Sequence, residues 1–283
     1  MAIRFGPAGL GGVKDASGNL QEYHQLGLRA CEIAFTYGVY IKSKEDAERI
    51  GEEAKKLGIR LSIHAPYWIN LNSADKKIIE KSKERILKCC EVGTWLEATK
   101  VVFHPGYYAL KGTKVPLRSP SFPTLKATSK HLDEVAQKKI AYKNIKNAIK
   151  EMQIIRRSNK WTPKLAPETT GKVNVFGSVD EIAQLVNDTG CSFCIDFAHI
   201  LAREKDYKFK EVLKKFSKEK RLHIHFSGIE YGEKGERRHK KTPEKDLRDL
   251  ISKLPKRKDV VIINESPDPV RDSLLGLKLV REK

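Results

Sequence analysis

The 283-residue chain has no apolar run of about 18 residues, the length that a membrane-spanning helix requires. Residues 1–6 also lack the basic and then apolar pattern of a signal peptide. These two absences exclude the usual signals for a membrane or secreted protein. We therefore expect a cytoplasmic protein that has no membrane partner.

Cysteine is scarce, and its distribution argues against a disulfide framework. The five cysteines are an odd number and are scattered along the chain: Cys31, Cys89, Cys90, Cys191 and Cys194. Cys191 and Cys194 form a lone CxxC motif without the second pair that a structural zinc site needs. We interpret all five as reduced thiols.

Acidic residues are few in comparison with basic ones. The chain has 36 Asp and Glu against 55 Lys and Arg, which gives a formal net charge of +19. Such an excess favours a polyanionic partner through attraction and counterion release. The charge alone also fits a lysine-rich, solvated surface without any nucleic-acid partner.

Short apolar segments alternate with longer amphipathic segments, and the alternation repeats eight times. The predicted strands are 3–8, 30–36, 60–67, 100–106, 164–170, 192–199, 221–228 and 259–266. The predicted helices are 20–28, 43–57, 73–96, 137–158, 178–189, 208–218, 242–254 and 269–281.

Eight strand–helix units in this order predict an α/β fold, because parallel strands need crossover connections. We expect a single (β/α)₈ TIM barrel over residues 1–283. The alternative is an open, doubly wound sheet. The chain has neither of the Gly-rich phosphate-binding patterns, which weakens that alternative.

Two basic loops follow predicted strands. Residues 107–132 form an insertion-like loop with five basic residues and no acidic residue, and residues 230–241 carry five more basic residues. In a barrel both loops lie on the C-terminal face, where active sites lie. Each loop alone is typical of a solvated surface. Together they favour a function on that face.

Residues of metal-binding types end six successive predicted strands. In chain order they are His64, His104, Glu168, Asp196, His199, His225 and Glu265. Closing the barrel brings these ends into one pocket. Burying three carboxylates together is very costly unless cations neutralise them. Imidazole and carboxylate ligands suit zinc, manganese or iron, and the number of ligands predicts two or three ions.

Two further polar residues lie within the predicted strands. His223 is two residues before His225 and so faces the same side, one layer deeper, where we interpret it as a core residue or a support for a ligand. Glu32 lies in the second strand, and no motif assigns it a role.

The strand-end motifs resemble those of the endonuclease IV family along the chain from residue 3 to the C-terminus. The motifs are Ser62-Ile63-His64-Ala65-Pro66-Tyr67, Phe103-His104-Pro105-Gly106, Pro167-Glu168-Thr169-Thr170-Gly171, Ile195-Asp196-Phe197-Ala198-His199, His225-Phe226-Ser227 and Asn264-Glu265-Ser266-Pro267. That family consists of xylose-isomerase-like barrels that cleave DNA 5′ to abasic sites with three zinc ions. The resemblance implies the same fold, cofactor and activity here.

The resemblance also assigns roles to residues. His64 and His104 would bind the first ion, and Glu168 would bridge the first and second ions and orient the nucleophile as the catalytic residue. The other residues assigned to the second ion are Asp196, His225 and Glu265. The residues assigned to the third ion are His199 and His239.

One position departs from the family pattern. The third ion of the family expects an Asp two residues before the final histidine, and this chain has Arg237 two residues before His239. We expect either that Glu236 or Glu233 substitutes through a shifted loop, or that the third site is weak or absent.

The resemblance implies that Tyr67, beside the strand-three motif, inserts next to the abasic nucleotide. Trp68 would assist as a stacking wedge, and Arg237 and Arg238 would contact DNA. We thus expect a monomeric endonuclease that acts on double-stranded DNA with abasic sites. The alternatives are a sugar isomerase or epimerase of the same superfold and a non-catalytic DNA-binding protein with a degenerate metal site.

Overall fold

The computed structural model describes residues 3–108 and 126–282, with side chains from residue 134 onward in the second segment. Its strands are β1 (Ile3–Pro7), β2 (Ala30–Ala34), β3 (Arg60–His64), β4 (Lys100–Phe103), β5 (Lys164–Pro167), β6 (Ile195–Asp196), β7 (Arg221–Phe226), β8 (Gly228–Gly232), β9 (Gly235–Lys240) and β10 (Asp259–Asn264). Its helices are α1 (Ala16–Gln25), α2 (Lys44–Lys56), α3 (Lys76–Trp95), α4 (Lys126–Ser158), α5 (Val179–Thr189), α6 (Phe197–Glu204), α7 (Phe209–Lys215), α8 (Glu244–Lys253) and α9 (Pro269–Arg281).

Eight parallel strands close into a barrel. They form two sheets, β1-β10-β7-β6 and β2-β3-β4-β5, and both junctions between the sheets are bridged. At one junction Ala8 pairs with Glu32, and at the other Glu168 pairs with Cys194. The carboxyl ends of all eight strands therefore surround one mouth, as the sequence predicts.

Local capping and close packing explain several element boundaries. Ser43 caps α2 by accepting a hydrogen bond from the backbone N–H of Asp46, and Ser178 with Glu181 forms a capping box on α5. Gly276 lets α9 press against β1, because a Cβ there would lie 2.2 Å from the ring of Phe5. These contacts fix the helices against the strands of the barrel, and the core lies between the strands and the helices.

Three predicted elements need correction. The sixth strand ends at Asp196 rather than at residue 199, and His199 lies in α6, which the sequence did not predict. Asp196 starts that helix because its side chain accepts the backbone N–H of His199. Helix α4 begins at Lys126, within the predicted loop 107–132, and residues 109–125 of that loop lie outside the described residues. Predicted loop 230–241 forms most of the β8–β9 hairpin.

The cysteines and the hydropathy of the helices agree with the sequence-based expectations. All five cysteines are buried and unpaired, as expected for reduced thiols. Within residues 3–108 and 126–282, none of the helices combines the length and apolar character that crossing a lipid bilayer requires.

Candidate metal centre

Several of the sequence-predicted ligands meet at the carboxylate of Glu168, which follows β5 directly and is fully buried. Its Oε2 lies 3.1 Å from Nε2 of His64 and 3.0 Å from Nε2 of His104. Its Oε1 lies 3.0 Å from Nδ1 of His225. Each oxygen of Glu168 therefore faces a different histidine group, so Glu168 would be able to help hold a cation on each side.

Two groups of ligand atoms share Glu168. Within each group the ligand atoms lie within 4.8 Å of one another, and the groups are His64, His104 and Glu168, and Glu168, Asp196, His225 and Glu265. Glu265, the first residue after β10, places Oε1 3.3 Å from Nδ1 of His225. Donor atoms this close to one another would be able to hold a common cation.

A third group contains Asp196, His199 and His239, again with ligand atoms within 4.8 Å. The backbone N–H of His199 donates to Oδ1 of Asp196 over 2.7 Å, so the helix cap itself orients the aspartate. The ring of His239, on the hairpin, lies 5.4 Å from the ring of His199. Asp196 thus belongs to two neighbouring groups, just as Glu168 does.

A β-bulge in the hairpin brings Glu236 beside His199, one member of this third group. His239 pairs with Ile229, but Glu236 pairs with Tyr231, which leaves Arg237 as the extra residue. Because side chains alternate along a strand, the extra residue turns Glu236 to the same side as His239. Oε2 of Glu236 consequently lies 3.4 Å from Nε2 of His199.

The hairpin is fixed over the loop after β5. The backbone N–H of Glu236 donates to the carbonyl of Gly171 over 3.2 Å. Gly235 has a φ of +94°, and a Cβ there would lie 2.1 Å from that carbonyl oxygen, so the contact requires glycine. Arg237 points outward with a side chain that is 66% exposed, and Glu233 is exposed in the turn.

The donor set fits divalent cations. Oδ2 of Asp196 is buried and has no hydrogen-bond partner among the described residues. Such an unpartnered oxygen is costly beside two more carboxylates, those of Glu168 and Glu265, unless a cation binds it. The mixture of imidazole and carboxylate donors suits zinc, manganese or iron.

The pKa shifts of the side chains in this site also favour the binding of cations. Burial raises the pKa of Asp196, although the nearby imidazole of His199 opposes this. Burial disfavours the charged form of His64, but its hydrogen bond to Glu168 and the surrounding carboxylates outweigh burial and raise its pKa to about 9. Asp196 and Glu236 likewise outweigh burial at His199 and raise its pKa to about 10. Without a metal ion, the raised pKa values keep protons on these side chains, and those protons balance the negative charge of the carboxylates. A bound cation would supply that positive charge instead.

Two aromatic side chains project from the rim beside this cluster. Tyr67 and Trp68, after β3, are 62% and 61% exposed, and the ring of Tyr67 lies 6.4 Å from that of His64. A crevice of about 70 Å³ opens between Tyr67, His104, Lys172 and Glu236. The side chain of Arg238, on the hairpin, is 76% exposed and its guanidinium lies 2.8 Å from Glu230.

The sequence did not assign a role to Glu32, which the structure places directly beneath the cluster. Glu32 is fully buried in β2, and its Oε2 lies 3.0 Å from Nε2 of His223. His223 is itself buried, one layer below His225, as the alternation along β7 predicts. The available signal was an acidic residue inside an otherwise apolar strand.

Comparisons with known proteins agree with this fold. The family model described as xylose isomerase-like TIM barrel matches residues 20–283. An uncharacterized protein from Methanocaldococcus jannaschii is 34% identical over 98% of this chain and 97% of its own length. A probable endonuclease 4 from Carboxydothermus hydrogenoformans is 24% identical over 79% of this chain and 75% of its own length.

Two solved structures share the architecture. Endonuclease IV from Thermus thermophilus superposes with a TM-score of 0.67 and 20% identity, over 99% of this chain and 100% of that one. A D-tagatose 3-epimerase-like protein superposes with a TM-score of 0.68 and 18% identity, over 99% and 96% of the two chains. At these identities the likeness establishes the fold alone.

Proposed function

Because the chain belongs to the xylose isomerase-like TIM barrel family, we propose that it uses this fold as a metal-dependent endonuclease that hydrolyses DNA 5′ to abasic sites. The resemblance of the strand-end motifs and the 24% identity to a probable endonuclease 4 support this assignment. The proposed partner is double-stranded DNA that contains an abasic site.

The observation that carries the proposal is the arrangement of histidines around the two carboxylate oxygens of Glu168. One of its oxygens faces His64 and His104, and the other faces His225. A cluster of linked sites follows from that geometry, and a third group continues it through Asp196 and His199. Several adjacent cations are suited to a phosphodiester, whose attacking and leaving oxygens both need stabilisation.

The proposed ligands divide into three sets. The set for the first ion is His64, His104 and Glu168. The set for the second is Glu168, Asp196, His225 and Glu265. The set for the third is His199 and His239, with Glu236 in place of the aspartate that the family expects. When bound, divalent ions supply Lewis acidity toward the phosphate and a nucleophile at neutral pH.

The residues of the chain supply position and selectivity. Glu168, held by three imidazoles, fixes the spacing of the two sites beside the reacting phosphate. Tyr67 and Trp68 present exposed rings at the rim, where they fill the gap that a missing base leaves in the helix. Arg237 and Arg238 on the hairpin hold flanking phosphates, which makes binding dependent on salt. An abasic nucleotide lacks pairing and stacking, so extruding it costs little.

The test uses a labelled duplex with one tetrahydrofuran analogue of an abasic site and a matched intact duplex. We expect nicking on the 5′ side of the analogue, with a 3′-hydroxyl product, and no nicking of the intact duplex. A chelator should abolish the reaction, and added zinc or manganese should restore it. A metal-loaded protein that leaves both duplexes intact would refute the proposal.

The same preparation tests the rival activity. Epimerase-like structures share this fold to the same extent, so the assay should include ketohexoses such as D-tagatose and D-fructose. Interconversion of these sugars without nicking would favour the epimerase interpretation. Salt-sensitive binding of abasic duplex without either reaction would favour the DNA-binding protein with a degenerate site.

A further inference from the structure

Glu32 reaches across the interior of the barrel from β2 to β7. Its Oε1 lies 2.9 Å from Nε2 of His225, and its Oε2 lies 3.0 Å from Nε2 of His223. The hydroxyl of Ser62, the cross-strand neighbour of Glu32 on β3, also donates to Oε2 over 2.7 Å. A fully buried carboxylate with these partners is held in one orientation.

The two ring nitrogens of His225 face opposite ways. Nδ1 faces the cluster, at 3.0 Å from Glu168 and 3.3 Å from Glu265, whereas Nε2 faces Glu32. A carboxylate at Nε2 favours the tautomer with its proton on that nitrogen. The lone pair of Nδ1 is then free for a cation. Pairs of this kind, in which a carboxylate orients a histidine ligand, tune many metal sites.

Glu32 and His225 are in close contact, but the two atoms are not aligned as a hydrogen bond. Both Oε1 of Glu32 and Nε2 of His225 lack a hydrogen bond with good geometry among the described residues, although only 2.9 Å separates them. A buried polar atom without a hydrogen bond is costly, so pairing between these two atoms is favoured.

We propose that Glu32 is a positioning residue that holds the imidazole of His225 with Nδ1 directed at a divalent metal ion, and that Ser62 and His223 hold Glu32 in turn. The inference rests on the metal cluster of the proposed function. It adds a buried layer beneath the ligands, made from strands on opposite sides of the barrel. Glu32 itself touches neither the ion nor the substrate.

The test compares Glu32→Gln with the wild type and with Glu97→Gln, a control in an exposed pair with Lys55. Zinc affinity is measured by competition with a chromogenic chelator, and the visible spectrum of the cobalt(II)-loaded protein reports ligand geometry. We expect Glu32→Gln to weaken zinc binding at one site by about 10- to 100-fold and to change the cobalt spectrum. Glu97→Gln should match the wild type in both.

A second variant covers a failure of Glu32→Gln to fold. Ser62→Ala removes one hydrogen bond to Glu32 and keeps its charge, so we expect a loss of zinc affinity of several fold. Wild-type affinity and spectrum in the folded variants, in a preparation whose wild type nicks abasic duplex, would overturn the role of Glu32 alone. A wild type that binds no divalent metal would overturn both proposals.

Discussion

Oε2 of Glu236 lies 3.4 Å from Nε2 of His199, although the sequence places Arg237 where a carboxylate is expected. The single extra residue of the β-bulge produces this relationship, because it exchanges the faces of the two neighbouring side chains. The carboxylate that lies beside His199 therefore belongs to the residue next to the expected position, and we propose it as the ligand of a third metal.

The first prediction concerns this exchange. Glu236→Gln should lower the metal content of the loaded protein by about one ion per chain, because it removes the charged ligand of the third set. Arg237→Ala should retain the full metal content and lose only affinity for DNA. Elemental analysis after dialysis separates the two variants. Equal metal content in both would contradict the role of Glu236.

Glu168 should be the most sensitive ligand. Glu168→Gln keeps the shape of the side chain but removes the charge that faces both histidine groups. We expect nicking of abasic duplex to fall by more than about 100-fold, beyond the usual effect of residues that only support ligands, with the loss of bound metal. Glu97→Gln provides the control. Near-normal nicking by Glu168→Gln would rule out the bridging role.

Metal binding should release protons. The pKa values of His64 and His199 are raised to about 9 and about 10, so both imidazoles carry protons at pH 7.5 when no metal is bound. The pKa of His225, another proposed ligand, is also raised well above its usual value despite burial. A ligand imidazole must be neutral, so loading should release about three protons per chain and affinity should fall as the pH is lowered. Calorimetry in buffers of different ionisation enthalpy measures the release. A value of zero would contradict the direction of these pKa shifts.

The exposed aromatic rings should discriminate damaged from intact DNA. Tyr67→Ala and Trp68→Ala should each weaken binding to abasic duplex by about 1–3 kcal/mol, the usual contribution of a stacked ring, while intact duplex is little affected. A methylphosphonate 5′ to the analogue blocks cleavage during anisotropy measurements. Ile154→Ala, at an exposed position on α4, is the control. An equal loss for both duplexes would argue against a wedge.

An ion-pair network at the opposite end of the barrel predicts an acid dependence of stability. Asp259, at the start of β10, contacts the guanidinium groups of Arg4 and Arg60, which hold its pKa below the usual value despite partial burial. A carboxylate with a lowered pKa stabilises the folded state above its unfolded pKa, and this contribution is lost as the pH falls through the folded value.

Asp259→Asn should therefore lower the free energy of unfolding by about 1 kcal/mol at pH 7. The difference from the wild type should begin to shrink at about pH 4, the pKa of aspartate in the unfolded chain, and should disappear as the pH falls through the lower pKa of folded Asp259. Urea unfolding at several pH values measures both effects. A difference that stays constant down to pH 2 would show that packing, rather than charge, is responsible.

The order of the eight strands and the positions of the candidate ligands at their ends could be predicted from the sequence, because each depends only on a short segment of the chain. A strand is a short apolar segment, and a histidine or carboxylate at its end is visible without knowledge of the rest of the chain. His64, His104 and Glu168 illustrate this, since each follows or ends its strand as predicted. His199 was placed on a strand instead of a helix, because the cap at Asp196 gives no signal separable from a strand end.

The sequence by itself determined an eight-stranded barrel whose strand ends carry histidines and carboxylates, the residue types that bind metals, since periodicity and residue type fix both. The tertiary structure alone decided that Glu32 lies beside His225, from across the barrel, and that Glu236 rather than Arg237 lies beside His199. The reason is physical in both cases. Neighbours across a barrel are separated by almost 200 residues of chain, here 191 between Glu32 and His223, and the register of a bulge depends on how the two strands of a hairpin pair.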